Sequence, residues 1–137
     1  MNYSIEARSI AGNDASLLIK KAEIKFGTTD ETAANLPNPA ELFLGAFSSC
    51  ILKNIERFSV LLKFEYRSAE IKVTAVRLDH PPRLDKIEYQ VKVYSNDQRL
   101  NLDLLKKNVE KFGTIYNTVK SSCEISGKMI RVEEHEL

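Results

Sequence analysis

Asn38-Pro39-Ala40-Glu41-Leu42-Phe43-Leu44-Gly45-Ala46-Phe47-Ser48-Ser49-Cys50 is the stretch around which the rest of the chain organises. Asn38 is a residue type that caps helices, and Pro39 suits the first helical position, where the missing N–H would have had no partner. Glu41 favours the positive end of the helix dipole. Over residues 39–63 the apolar positions Leu42, Phe43, Ala46, Phe47, Cys50, Ile51, Ile55, Phe58 and Leu62 recur at three and four, while Leu44, Leu52 and Leu61 fall outside that stripe. A helix apolar around most of its circumference is buried on more than one side. It is therefore expected as the central helix of the fold.

Working outward, residues 3–10 and 16–26 read as two strands separated by Ala11-Gly12-Asn13-Asp14, whose glycine and Asx residues suit a hairpin turn. A polar loop over 27–38 then leads into the helix. On its other side, residues 65–78 and 84–95 alternate, with Ala69, Ile71, Val73 and Ala75 on one face and Ile87, Tyr89, Val91 and Val93 on the other strand's matching face. They are expected to pair antiparallel across His80-Pro81-Pro82-Arg83. Residues 102–121 read as one amphipathic helix through Leu105, Val109, Phe112, Tyr116 and Val119, weakened by Gly113, and residues 128–132 as a last strand. With no repeat, linker or low-complexity stretch, the 137 residues are expected to form a single α+β domain.

Composition narrows the function classes. Twenty Lys plus Arg against nineteen Asp plus Glu gives a formal net charge of +1, which offers no basic field for a phosphate backbone, so nucleic acid is not an expected partner. The charges at Glu6, Arg8 and Asp14 interrupt any signal-peptide core, and the longest uncharged apolar run, between Glu41 and Lys53, falls short of the ~20 residues that cross a bilayer. The expectation is a cytoplasmic chain with no membrane partner. The five glycines do not cluster into a phosphate loop, and Ser48-Ser49 lies inside the helix pattern rather than in a hydrolase nucleophile elbow. His80 sits in a proline turn and His135 in the acidic tail, where a solvated terminus explains it better than a metal.

The chain has two cysteines, Cys50 and Cys123. Two thiols in such a chain are buried spacers or a redox couple. Free cysteine is among the most buried residue types, and a reactive one needs its thiolate stabilised by a nearby cation or donor. Lys53 and Arg57 stand three and seven residues beyond Cys50, although a solvated helix face accounts for them equally well. In a reducing compartment a bond between the two thiols would be transient.

The Asn38-Pro39 start with a cysteine eleven positions after the proline, and a second cysteine placed after a later helix, resembles the family of osmotically inducible protein C and organic hydroperoxide resistance proteins. The resemblance runs over nearly the whole chain. It implies an OsmC-like fold, antiparallel sheets wrapped around a long central helix in an intertwined homodimer, with a site at the subunit interface. It also implies a thiol peroxidase without metal, flavin or haem. In that reading Cys50 attacks a hydroperoxide, Cys123 condenses with the resulting sulfenic acid, and a small dithiol or dithiol protein restores both. The family takes an arginine from its N-terminal strands, and Arg8 is the one candidate for it before the central helix, an exposed strand residue being the alternative reading. The chain departs from the pattern twice. Ala40 stands where the family has a glutamate directly after the proline, and Glu124 replaces the proline that commonly follows the second cysteine. Glu41, one residue on, would lie about 13 Å along the helix axis from Cys50 and on the opposite face. These departures motivate two alternatives: a non-catalytic protein binding a small apolar, thiol or thioester ligand in the dimer cleft, and a structural dimer with inert thiols.

Overall fold

The structure, a computed structural model, describes residues 1–134. His135 lies outside the described residues. The chain forms two compact units, Met1–Phe43 and Leu44–Leu137, with the boundary inside the long helix α1 (Pro39–Leu61).

The first unit is an antiparallel meander of β1 (Glu6–Ser9), β2 (Ala15–Ile19) and β3 (Ala22–Phe26). The strand expected over residues 16–26 is two strands, folded back at Lys20-Lys21 with Ile19 opposite Ala22 and Lys20 at φ 55°. Charged residues at the turn face water on both sides, which a single continuous strand would not require. Ala15 is the only buried residue of this unit, and Tyr3, Ile5, Ile10, Leu18 and Ile24 are exposed. A meander that buries so little has no core of its own.

At the start of α1 the Glu41 N–H donates to Asn38 Oδ1 (2.8 Å) and the Asn38 N–H donates to Glu41 Oε1 (3.0 Å). This reciprocal box satisfies two amides that a helix start leaves without intrahelical partners. It gives Glu41 a local structural task.

The second unit holds the core. Strand β4 (Ser68–Asp79) pairs antiparallel with β5 (Pro82–Tyr94), as the alternation predicts, with an irregularity between Thr74 and Val76. Strand β6 (Ile125–Val132) then runs parallel to β5, from Ile87 opposite Ile125 to Tyr94 opposite Val132. The expected all-antiparallel sheet is corrected here. The chain leaves β5 at one end and returns through two helices, and such a crossover sets the returning strand down parallel.

Those helices are α2 (Leu102–Phe112) and α3 (Thr114–Lys120). The single helix expected over residues 102–121 breaks at Gly113, whose backbone is extended (φ −74°, ψ 116°). Gly113 closes α2 with its N–H on the Val109 carbonyl and opens α3 by accepting from the Asn117 N–H. Asn101 caps α2 by accepting from the Leu104 N–H.

The core layers one stripe of α1 (Phe47, Ile51, Ile55, Phe58) against Ile87, Tyr89, Val91 and Val93 of β5 and against Leu105, Val109, Tyr116 and Val119. The apolar residues of α1 outside that stripe are half-buried or, at Phe43, Ala46, Val60 and Leu61, exposed. Tyr89 stands opposite Gly127 of β6 and its ring lies where a Cβ at 127 would be. Any side chain there overlaps the ring, so Gly127→Ala should destabilise the fold by about 2–3 kcal/mol, at the upper end of overpacking costs. Urea unfolding should show a lower midpoint with an unchanged slope.

Candidate functional site

Cys50 is half-buried on α1, one turn after Phe47. Its sulfur lies against Gly113: a Cβ built at that glycine would be 3.2 Å from Cys50 Sγ and 3.1 Å from Tyr116 Cβ. The buried Asn54, one turn further along α1, donates its side-chain amide to the Cys50 carbonyl at 2.8 Å and brings the same nitrogen to 3.7 Å from the sulfur. The thiol thus has an oriented amide donor beside it. Lys53 and Arg57 are both exposed, and the Arg57 guanidinium sits over the Phe58 ring, 5.4 Å from its centroid. Arg57 is engaged in a cation–π contact.

Against Phe47, one turn before Cys50, the structure places a hydrogen-bonded cluster centred on one carboxylate. Glu110 accepts from Tyr89 Oη (2.8 Å) and Lys106 Nζ (2.6 Å) on one oxygen and from Tyr116 Oη (3.0 Å) on the other. Phe47 packs between the two tyrosines, with ring centroids 6.0 Å from Tyr89 and 5.9 Å from Tyr116. Burial pushes the Glu110 carboxyl up, but the hydrogen bonds from Lys106 and Tyr89, the lysine charge and the Tyr116 bond outweigh it and hold the carboxyl below its usual range. Burial and the same carboxylate keep both phenols protonated, Tyr116 being pushed up to about 12.

Cys123 lies elsewhere in the second unit. Its N–H donates to the Val119 carbonyl and its sulfur donates to the Leu84 carbonyl at 3.3 Å, beside the start of β5. Gly113 and Cys123 therefore stand beyond opposite ends of α3, whose seven residues span about 10 Å at the helical rise. The neighbours of α1 run the same way: Phe47 meets Tyr116, Cys50 meets Gly113 and Phe58 meets Phe112, so α1 moves away from Cys123 as it proceeds. Cys50 and Cys123, both half-buried and unbonded, are not brought together. Glu124 has a backbone role, donating its N–H to Asp85 Oδ1 at 2.9 Å and accepting from the Ile87 N–H. A proline there would lack that donor.

Arg8 is exposed on β1, in register with Ser16 of β2, and makes no ion pair among the described residues. Among the described residues no cluster of three or more His, Cys, Asp or Glu could hold a metal ion, and no helix is long and apolar enough to cross a membrane. The sequence reading gives no site role to Asn54, Tyr89, Glu110 or Tyr116. Asn54 had a signal, a polar residue four positions after Cys50 on an otherwise apolar stripe. The tyrosines read as core positions, and nothing in the spacing joins them to Glu110.

Comparison with known proteins fits this arrangement. The OsmC-like protein family matches residues 29–128, most of the chain, and the chain belongs to that family. Among solved structures, the OsmC-like protein of Mycoplasma pneumoniae superposes with a TM-score of 0.85 at 17% identity, covering 96% of this chain and 98% of that one. A protein from Aquifex aeolicus gives 0.80 at 18% identity, covering 98% and 99%. An organic hydroperoxide resistance protein from Elizabethkingia anophelis, with thiocyanate bound, gives 0.71 at 13% identity, covering 96% and 99%. At such identities the likeness is one of fold. No curated protein matches the chain in sequence.

The Glu110 cluster should be visible in the pH dependence of stability. A carboxyl held below its unfolded-state value, about 4.3, stabilises the fold above that value and ceases to do so as pH falls through the folded one. Glu110→Gln is expected to lower stability near neutral pH and to flatten its decline below about pH 5, so that wild type and variant converge in acid. Denaturant midpoints across that range check it. Parallel curves would place the acid-sensitive group elsewhere.

Proposed function

We propose that this OsmC-like protein reduces hydroperoxides with Cys50 as the attacking thiol. The observation that carries the reading is the placement of Cys50: a half-buried thiol on the central helix of this family's fold, with the Asn54 amide 3.7 Å from its sulfur. That several similar folds belong to proteins named for organic hydroperoxide resistance supports the same chemistry. In the step itself the thiolate attacks one peroxide oxygen, the S–O bond forms as the O–O bond breaks, and the alkoxide leaves and takes a proton. The products are a sulfenic acid on Cys50 and an alcohol. Arg8, free of ion pairs among the described residues, is the proposed cation for the thiolate or the leaving oxygen.

The sequence reading has Cys123 condense with that sulfenic acid. A disulfide needs Cα atoms roughly 4.4–6.8 Å apart, so this step requires α3 to shift or unwind. The working unit is proposed to be a cytoplasmic homodimer. Supporting this are the meander without a core and the exposed Val60, Leu61, Leu104 and Phe112 of the second unit, apolar surface that a second copy would cover.

Two outcomes test the proposal. Cys50→Ser should lower thiol-dependent consumption of an alkyl hydroperoxide by more than about 100-fold, because the hydroxyl is barely ionised near neutral pH. Slow, equal oxidation of wild type and variant would instead favour a ligand-binding protein, the reading that Ala40 motivates. In sedimentation, dilute protein should run as a dimer, with a buried area above about 2,000 Å² once its structure is solved. A compact monomer would remove the dimer from the proposal.

A further inference from the structure

Resting on the peroxide reading above, we propose that Cys50 works as a single-cysteine centre whose sulfenic acid is resolved by a low-molecular-weight thiol from outside the chain, with Cys123 a bystander. Two independent observations lead there. The first is the separation: Cys123 lies beyond α3, its sulfur turned to the Leu84 carbonyl, while α1 carries Cys50 past the other end of that helix. The second is what faces Cys50. A Cβ at residue 113 would be 3.2 Å from Cys50 Sγ, close to the roughly 3 Å that an S–S bond of 2.05 Å sets between one sulfur and the other residue's Cβ. Position 113 is thus where an internal resolving thiol would sit, and the chain has no side chain there.

At Gly113 the sulfur meets main chain and no side chain of its own fold that could react with it. Cys50 is half-buried, so part of its side chain is open to a low-molecular-weight thiol, the smallest partner that could resolve it. The chemistry balances without Cys123. The outside thiolate attacks the sulfenic sulfur, the S–S bond forms as the S–O bond breaks, and hydroxide leaves as water after taking a proton. A second small thiol attacks the outer sulfur of this mixed disulfide, giving the free low-molecular-weight disulfide and the Cys50 thiolate. Two thiols are oxidised for each peroxide reduced to alcohol and water.

The experiment uses the full reduced chain, wild type, Cys123→Ser, Gly113→Cys and, as a folding control, Gly113→Ala. Each is given one equivalent of cumene hydroperoxide with or without free cysteine and is then read by peptide mass spectrometry. Expected for wild type are sulfenic or sulfinic acid on Cys50 without added thiol, and cysteinylated Cys50 with it. Cys123 should stay reduced throughout. Cys123→Ser should consume peroxide with free cysteine as reductant at a rate within about twofold of wild type, since a removed bystander leaves the rate-determining groups untouched. An intrachain bond between Cys50 and Cys123, formed as fast as peroxide is consumed, would overturn the inference while leaving the peroxide reading standing. Failure of Cys50 to react with peroxide would sink the peroxide reading and this inference with it. A diamide arm probes the geometry without peroxide: Gly113→Cys should link its introduced thiol to Cys50 at least tenfold faster than wild type links Cys50 to Cys123. Equal rates would overturn the geometric argument.

Discussion

The contact between the Cys50 sulfur and Gly113 is the constraint on which the rest of the second unit depends. Any side chain at 113 would meet the sulfur and the Tyr116 side chain at once, so the glycine sets how closely α1 approaches the helical pair. The same residue, extended in backbone, ends α2 and begins α3. One glycine therefore fixes both the packing distance of the central helix and the place where the crossover bends. Whatever chemistry Cys50 performs, it does so against main chain, with a single oriented amide from Asn54 as its nearest polar side-chain neighbour on α1.

A second tie holds the sheet to this arrangement. Tyr89 leans over Gly127, and its hydroxyl reaches the Glu110 carboxylate on α2, where Tyr116 from α3 and Lys106 from the previous turn also bond. The ring crosses the neighbouring strand only because residue 127 has no side chain. Strand, helix and helix thus meet at one carboxylate. Each hydroxyl would cost free energy if buried without a partner, and the shared acceptor satisfies both. The cluster forms the rigid backing of Phe47, and hence of the turn of α1 that carries Cys50.

Much of this was legible because it is periodic. The start of α1, its buried stripe, the β4–β5 pairing and the inward face of β5 all follow from local spacing, and each was read at nearly the right residues. What was not legible depended on single residues whose effect is tertiary. Gly113 looked like a mild weakness in one long helix because the apolar stripe from Leu105 to Val119 continues across it. Only the packing of a sulfur against its backbone makes the break necessary. The parallel sense of β6 likewise follows from the crossover, which the alternation of residues 128–132 does not encode. Cys123 was read as lying at the end of the last long helix. With α2 ending at Phe112, the residue in that architectural place is Gly113, and Cys123 is ten residues beyond it.

The two departures from the family pattern have a different weight once the local structure is seen. Glu124 uses its N–H to hold Asp85, and that bond sets the first rung of the parallel pairing, where the Ile87 N–H meets the Glu124 carbonyl. A proline at 124 would delete the donor and loosen the entry of β6. Near Ala40 the carboxylate has moved one residue on, to Glu41, where it closes the capping box with Asn38 and is spent on the helix start. Both changes answer to backbone requirements of this chain, so neither by itself argues against chemistry at Cys50. The residue that bears most on the proposed chemistry is Gly113, which puts main chain rather than a second thiol against the Cys50 sulfur, so that in the proposed cycle the resolving thiol comes from outside the chain.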